Sequence, residues 1–181
     1  MSISVLDLFK IGVGPSSSHT VGPMRAAHEF VVALQQRTPL EAVRRIEVKL
    51  YGSLSATGVG HGTDRAVIAG LMGARPDEVD PDFLVEAVDA VRIDGELPLP
   101  GGVVVPFDWA RDMRLLPVSL PYHPNAMRLI AHGDAAVVYE NTYYSVGGGF
   151  VIDEAQAQSG APAEAEVVVP YPFDTGAELL A

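Results

Sequence analysis

The chain has 181 residues, 48% of them hydrophobic, with 23 acidic against 12 basic side chains and a net charge of −11. This is enough for one large domain or two small ones with a real core, and the acidic balance argues against a nucleic-acid surface, which needs a basic face to displace counterions. There are no cysteines, so disulfides, thiolate nucleophiles, zinc–thiolate sites and a cluster ligated by cysteine within this chain are excluded. No apolar run approaches the roughly 18–20 residues that span a bilayer, and MSISVLDLFK has no basic leader before an apolar core. These features predict a soluble, cytoplasmic protein with no membrane and no nucleic-acid partner.

In chain order, SVLDLFKI (3–11) reads as a short helix. The stretch GPSSSHTVGP (14–23) has neither strand nor helix period. It leads into a helix over 22–36, where Pro23 suits the first turn and Met24, Ala27, Phe30, Val31 and Leu34 keep helical spacing. VRRIEVKLYG (43–52) alternates as a strand with one wet face. GSLSATGVGHGT (52–63) is rich in glycine and small polar groups, and DRAVIAGLMG (64–73) is a buried helix with Thr63 or Asp64 as its cap. RPDEVDPD (75–82) is a turn and cap, and FLVEAVDAVR (83–92) is a third helix. The rest is strand-like: GGVVVPFD, RDMRLLPVSL, AMRLIAHGD, AAVVYENTYYSVGGGFVID and EAEVVVPYPF. DEAQAQSGAPAEA (153–165) reads as a low-complexity loop. FDTGAELLA (173–181) starts a helix, capped by Asp174 or Thr175, and stops within about one turn, which suggests a boundary inside a longer polypeptide.

Four segments carry chemistry. In SSSHT, a helix entrance leaves about four N–H groups unpaired and partly positive, and the hydroxyls of Ser16, Ser17, Ser18 and Thr20 add donors for a carboxylate or phosphate. His19 could hold the anion or move a proton. The alternative is one N-cap among turn formers. In GVGHGTD (58–64), glycines leave the His61 ring uncrowded as a general base or acid, unless it is a surface-loop histidine. PYHPNAM (121–127) places His123 and Asn125 around a proline, either as pocket members or as a plain loop. The triple glycine of SVGGGFV (145–151) reads as a bulge or a close approach to the backbone, but no G-K-[ST] makes it a phosphate loop. His28 and His132 read as structural or surface residues. No histidine spacing forms a metal-ligand pair, and no G-x-S-x-G supports a Ser-His nucleophile. The residues alone favour a small anionic ligand and leave the reaction unnamed.

GPSSSHTVGPMRAA (14–27), LYGSLSATGVGHGTDRAVIAGLMG (50–73), HPNAMR (123–128) and SVGGGF (145–150) follow in order along most of the chain. Together they resemble the N-terminal, or β, part of the iron–sulfur-dependent L-serine dehydratases (L-serine deaminases). The family commonly has glycine where this chain has Ala126, which bears on loop shape. The resemblance implies an α+β fold, a mixed sheet packed against helices, similar to the allosteric substrate-binding domain of some phosphoglycerate dehydrogenases. It divides the chain into a β domain over 1–173 and, over 174–181, the start of a linker or helix to an absent α domain. That α domain, not this chain, would bind a [4Fe–4S] cluster acting as a Lewis acid on the serine hydroxyl. The implied reaction converts L-serine to pyruvate and ammonia, with His61 as base and His19 as helper. Ser16, Ser17, Ser18 and Thr20 would cradle the carboxylate, with His123 and Asn125 as further pocket members. A homodimer and an inactive isolated β part are expected. Two rivals remain: a non-catalytic regulatory domain binding serine or another small anion, and a dimerisation scaffold in which the SSSHT and GHGT segments lie apart.

Overall fold

The computed structural model describes residues 12–159 and 175–179. The helix expected over 3–11 and the strand expected within 164–173 lie outside them. Helix α1, Gly22–Gln35, forms where the periodicity places it, with Pro23 in its first turn and Met24, Ala27, Phe30, Val31 and Leu34 buried. Strand β1, Arg45–Tyr51, turns Ile46, Val48 and Leu50 into the core. The segment after it is helical rather than a loop: single turns Gly52–Ala56 (α2) and Gly58–His61 (α3) precede helix α4, Thr63–Leu71. Helix α5, Pro81–Asp94, is capped by Asp80, whose carboxylate accepts from the Asp82 N–H.

Two short strands, Glu96–Pro98 (β2) and Val104–Pro106 (β3), pair antiparallel. The turn α6, Trp109–Asp112, leads into β4, Met113–Leu116. Then come β5, Asn125–His132; β6, Val137–Gly147; and β7, Phe150–Asp153. The main sheet has the order β4-β1-β5-β6-β7. Its β1–β4 pairing is parallel and the rest antiparallel. This is the expected α+β fold, a mixed sheet packed against helices. The expected bulge is present, since the β6–β7 register shifts between Ser145 and Gly147, and the glycines that follow form the hairpin turn.

Cross-strand pairs give the two faces different characters. Ile46 faces Ala131, Val48 faces Leu129 and Leu50 faces Met127, and these side chains pack with Phe30, Leu34, Val67 and Ile68 in the main core. On the other face Arg45 faces His132, Glu47 faces Ile130 and Lys49 faces Arg128. The wet face is drier than the alternation predicts, because Glu47 is only 8% exposed beneath its basic neighbours.

Three local expectations are corrected. The cap of α4 is Gly62, in a left-handed conformation, instead of Thr63 or Asp64. Part of the expected 153–165 loop is a helix, Glu154–Ser159 (α7), where Asp153 Oδ1 accepts the Gln156 N–H at 2.8 Å. Ala126 lies fully buried in β5 opposite Tyr144, so it belongs to the sheet rather than to a loop. A final turn, Gly176–Leu179 (α8), forms as expected.

Candidate active site at two helix entrances

The polar run before α1 folds as a π-helical turn, Ser17–Val21, continuous with the helix. Ser16 caps it by accepting the His19 N–H at 3.3 Å. The hydroxyl of Thr20 donates to the Ser16 carbonyl, and Ser18 Oγ lies 2.9 Å from His19 Nδ1. Ser16 Oγ is also 3.3 Å from Ser18 Oγ. Three of the four hydroxyls offered as an anion cradle are therefore engaged within their own segment, and Ser17 is the exposed member.

His61 ends the turn α3, and Gly62, at φ 73°, reverses the chain into α4. A side chain would be strained in that left-handed conformation, so the glycine lets the imidazole stand directly at the α4 entrance. Nδ1 of His61 lies 2.8 Å from the carbonyl oxygen of Thr57. A carbonyl can only accept, so Nδ1 carries the hydrogen and Nε2 carries the lone pair of the neutral ring.

The two imidazoles, 42 residues apart in sequence, meet with ring centroids 5.0 Å apart and planes inclined by 37°. Thr63 at the α4 entrance fastens the two segments together, its hydroxyl donating to the His19 carbonyl at 2.5 Å. His19 Nε2 lies 3.0 Å from Ser53 Oγ. Burial, followed by the charge His61 can carry, pushes the His19 pKa below its ordinary value, while a hydrogen bond that the ring donates to the Ser53 backbone acts in the opposite sense. The pair thus disfavours two positive charges at once.

Beside the His61 ring a cavity of about 260 Å³ opens, lined by Thr20, His61, Gly62, Arg65, Leu84 and Val85 among others; His19, Ser16, Ser17, Ser18, His123 and Asn125 are not part of its lining. It is slightly below the ~300 Å³ that drug-sized ligands need and so suits a small one. Arg65 supplies a cation at its wall, in a 3.7 Å ion pair with Asp89.

The HPN segment joins this centre through the backbone. The Pro124 carbonyl accepts the Ser53 N–H at 3.0 Å, and Asn125 bridges Gly52. His123 Nδ1 accepts the Asn125 N–H at 3.1 Å, and burial holds the His123 pKa down. The Asn125 amide donates to the Ser145 carbonyl at 3.3 Å. The two other histidines make contacts within the fold: His28 Nδ1 bonds the Gly73 carbonyl, and His132 sits against Arg45 and Glu47.

Sequence reasoning missed Ser53, Thr57, Thr63 and Arg65. A hydroxyl directly after the Gly that follows β1 was the available signal for Ser53. The contact between the SSSHT and GHGT segments contradicts the scaffold reading, which needs them apart. Among the described residues no group of three or more His, Asp or Glu side chains is arranged to hold a metal ion, and the chain has no cysteine, so these residues do not fit an iron–sulfur cluster. No helix among the described residues is long and apolar enough to cross a membrane.

Comparison with known proteins agrees with the motifs. The family model described as serine dehydratase beta chain matches residues 4–156. An L-serine dehydratase of Streptomyces coelicolor is 48% identical over 182 residues, covering 99% of this chain and 40% of that protein. L-serine dehydratase 1 of Escherichia coli is 46% identical over 183 residues, covering 99% and 39%. An L-serine dehydratase of Helicobacter pylori is 39% identical over 180 residues, covering 99% and 39%. The chain thus spans about two fifths of the length of these relatives, at 39–40%. With the motifs, the fold and the matched span in agreement, the chain belongs to the serine dehydratase β-chain family.

Proposed function

We propose that this chain is the proton-transfer part of an L-serine ammonia-lyase that converts L-serine to pyruvate and ammonia. The observation that carries the reading is the His19–His61 pair, 5.0 Å apart, with the Nε2 lone pair of His61 set by the Thr57 carbonyl. His61 Nε2 takes the α-proton of serine. The electron pair of the broken C–H bond forms the C=C bond as the β-hydroxyl leaves, giving 2-aminoacrylate. That enamine tautomerises to the imine and is hydrolysed to pyruvate and ammonia, so the water lost in the first step is regained in the last.

The chain's own residues bind, orient and move the proton. His19 lies beside the base and exchanges hydrogen bonds with Ser18 and Ser53. The hydroxyl-rich entrance of Ser16, Ser17, Ser18 and Thr20 receives the substrate carboxylate, with Ser17 as its outward member, and His123 and Asn125, which lie outside the cavity lining, adjoin the site through the backbone contacts of Pro124 with Ser53 and of Asn125 with Gly52. Activation of the leaving hydroxyl is not assigned to these residues. On this reading a [4Fe–4S] cluster is held by a separate α domain, the chain by itself does not turn over serine, and the working protein is a cytoplasmic homodimer.

The deciding experiment replaces each histidine in the complete enzyme and follows pyruvate formation. Loss of a positioned base costs about 10²–10⁴-fold, so His61→Ala should lower kcat by that factor. A variant with near-normal kcat and altered cooperativity would instead identify a regulatory serine-binding domain.

A further inference from the structure

The single turn α2 reaches both imidazoles. From its N-terminal end Ser53 presents Oγ to His19 Nε2 at 3.0 Å. Just past its C-terminal end the carbonyl of Thr57 receives His61 Nδ1 at 2.8 Å. The turn itself is held at several points. The Ser53 N–H donates to the Pro124 carbonyl at 3.0 Å, and the Ser53 carbonyl accepts the Thr57 N–H at 3.0 Å. The Thr57 hydroxyl donates to that same carbonyl at 3.0 Å. Gly52, at φ 51°, allows the strand end to turn so sharply, and a Cβ there would stand 2.4 Å from the Pro124 carbonyl oxygen.

The partners of the two rings differ in kind. His61 Nδ1 meets a carbonyl, which accepts only, so its tautomer is fixed. His19 meets a hydroxyl at each nitrogen, Ser18 at Nδ1 and Ser53 at Nε2. A hydroxyl donates or accepts by rotating its hydrogen. His19 can therefore change tautomer or take up a proton while keeping both hydrogen bonds and the plane of its ring. Without the Ser53 hydroxyl, Nε2 loses the partner that can both donate and accept, and only the Ser53 backbone, which accepts, remains on that side.

We propose that Ser53 is a positioning residue for the reaction: it fixes the His19 ring beside His61 and keeps both His19 nitrogens in bonds that can reverse direction. The inference rests on the reading that the pair moves protons. Its function is to let His19 answer each change of charge on His61 without a conformational step.

The test uses the complete enzyme with Ser53→Ala and Ser53→Thr, each assayed for serine turnover across pH. Small displacements of reacting groups cost up to about 100-fold. Ser53→Ala should lower kcat by about 10- to 100-fold with KM nearly unchanged, and should move the pH profile. Ser53→Thr, which keeps the hydroxyl, should restore most of the rate. Histidine-selective ¹⁵N spectra should show the His19 Nε2 resonance displaced in Ser53→Ala and near its original position in Ser53→Thr. Equal losses in both variants would reveal a packing role and overturn the proposal. Unchanged rate, pH profile and His19 resonance in Ser53→Ala would overturn it too. His19→Ala separates the two levels: full activity in that variant overturns the proton-transfer reading itself, whereas its inactivity beside a fully active Ser53→Ala overturns the role of Ser53 alone.

Discussion

His19 and His132 are both part-buried imidazoles, one at the helix entrances and one on the outer face of the sheet, and they keep different company. His132 lies 3.0 Å from Arg45 and 3.4 Å from Glu47, inside a lattice of fixed charges. Glu47 also meets Lys49 at 3.2 Å and Arg114 at 3.8 Å. Asp112, fully buried, is gripped by Arg45 at 2.9 Å, by Arg111 at 2.8 Å and by the Asp108 N–H at 2.9 Å. Burial pushes both carboxylates up, and their basic partners outweigh it, so both stay below their ordinary range. Around His19 and His61 no acidic side chain is a hydrogen-bond partner among the described residues; hydroxyls and one carbonyl take that place. The charge lattice holds its two carboxylates in the ionised state, whereas hydroxyl partners leave a histidine able to change tautomer. The first arrangement holds a fold together and the second suits a reaction.

The sharpest way to break this contrast is to remove one ring from each region. In the complete enzyme His61→Ala should cost about 10²–10⁴-fold in kcat with little change in melting temperature, and His132→Ala should do the reverse. Steady-state kinetics beside thermal melts decide it; a rate loss in His132→Ala as large as in His61→Ala would erase the distinction. Next in size is Asp112→Ala. Breaking a buried ion pair costs about 3–5 kcal/mol because the partner charge is stranded. Arg111 is 55% exposed and can rehydrate, so the low end, about 3 kcal/mol, is expected from denaturant unfolding. A loss below about 1 kcal/mol would mean that the lattice is dispensable.

Gly52→Ala should fall between the two regions. Its Cβ would meet the Pro124 carbonyl oxygen at 2.4 Å, and overpacking of this kind costs about 1–3 kcal/mol. Because Ser53 follows directly, the same substitution should also lower turnover. Stability loss with full activity would show that α2 does not set the imidazoles.

Much of this was legible in the sequence because it is local. The spacing of Met24, Ala27, Phe30, Val31 and Leu34 marks α1, and the alternation of Ile46, Val48 and Leu50 marks β1. Glycine-flanked histidines among small hydroxyls marked both halves of the site. The helical turns within 52–61 were not legible, since glycine and serine disfavour helix locally, and here contacts with the HPN segment and His19 hold them. Ser53 was hidden for the same reason: its partner is 34 residues away, and no local period reports that distance. Glu47 looked like a solvent-facing residue because alternation records which face a side chain takes and not how its neighbours cover it. Which of the serines would face outward also depended on the π-helical turn, which no propensity announces.

The smallest expected effect separates the two regions by pH. His19 and His123 are held below their ordinary value of about 6.5, the former by burial and then by His61, the latter by burial. The unfolded chain therefore takes up protons at a higher pH than the folded protein does. Their contribution to stability is fully present above about pH 6.5 and declines as the pH falls toward their folded values. Glu47 and Asp112 are also depressed in the folded state, so their contribution is present above the unfolded carboxylate range, about 4, and declines only as the pH falls through their lower folded values. Acid unfolding should then show two limbs, a shallow one beginning just below neutrality and a steeper one below about pH 4. The double variant His19→Gln, His123→Gln should flatten the first limb and leave the second, while Asp112→Asn should flatten the second and leave the first. Denaturant midpoints measured from pH 8 to pH 3 would show this. If the upper limb persists in the double variant, the site histidines do not account for it, and the contrast between a site whose histidines take up protons below neutrality and a lattice whose carboxylates stay ionised to about pH 4 fails at its most direct physical consequence.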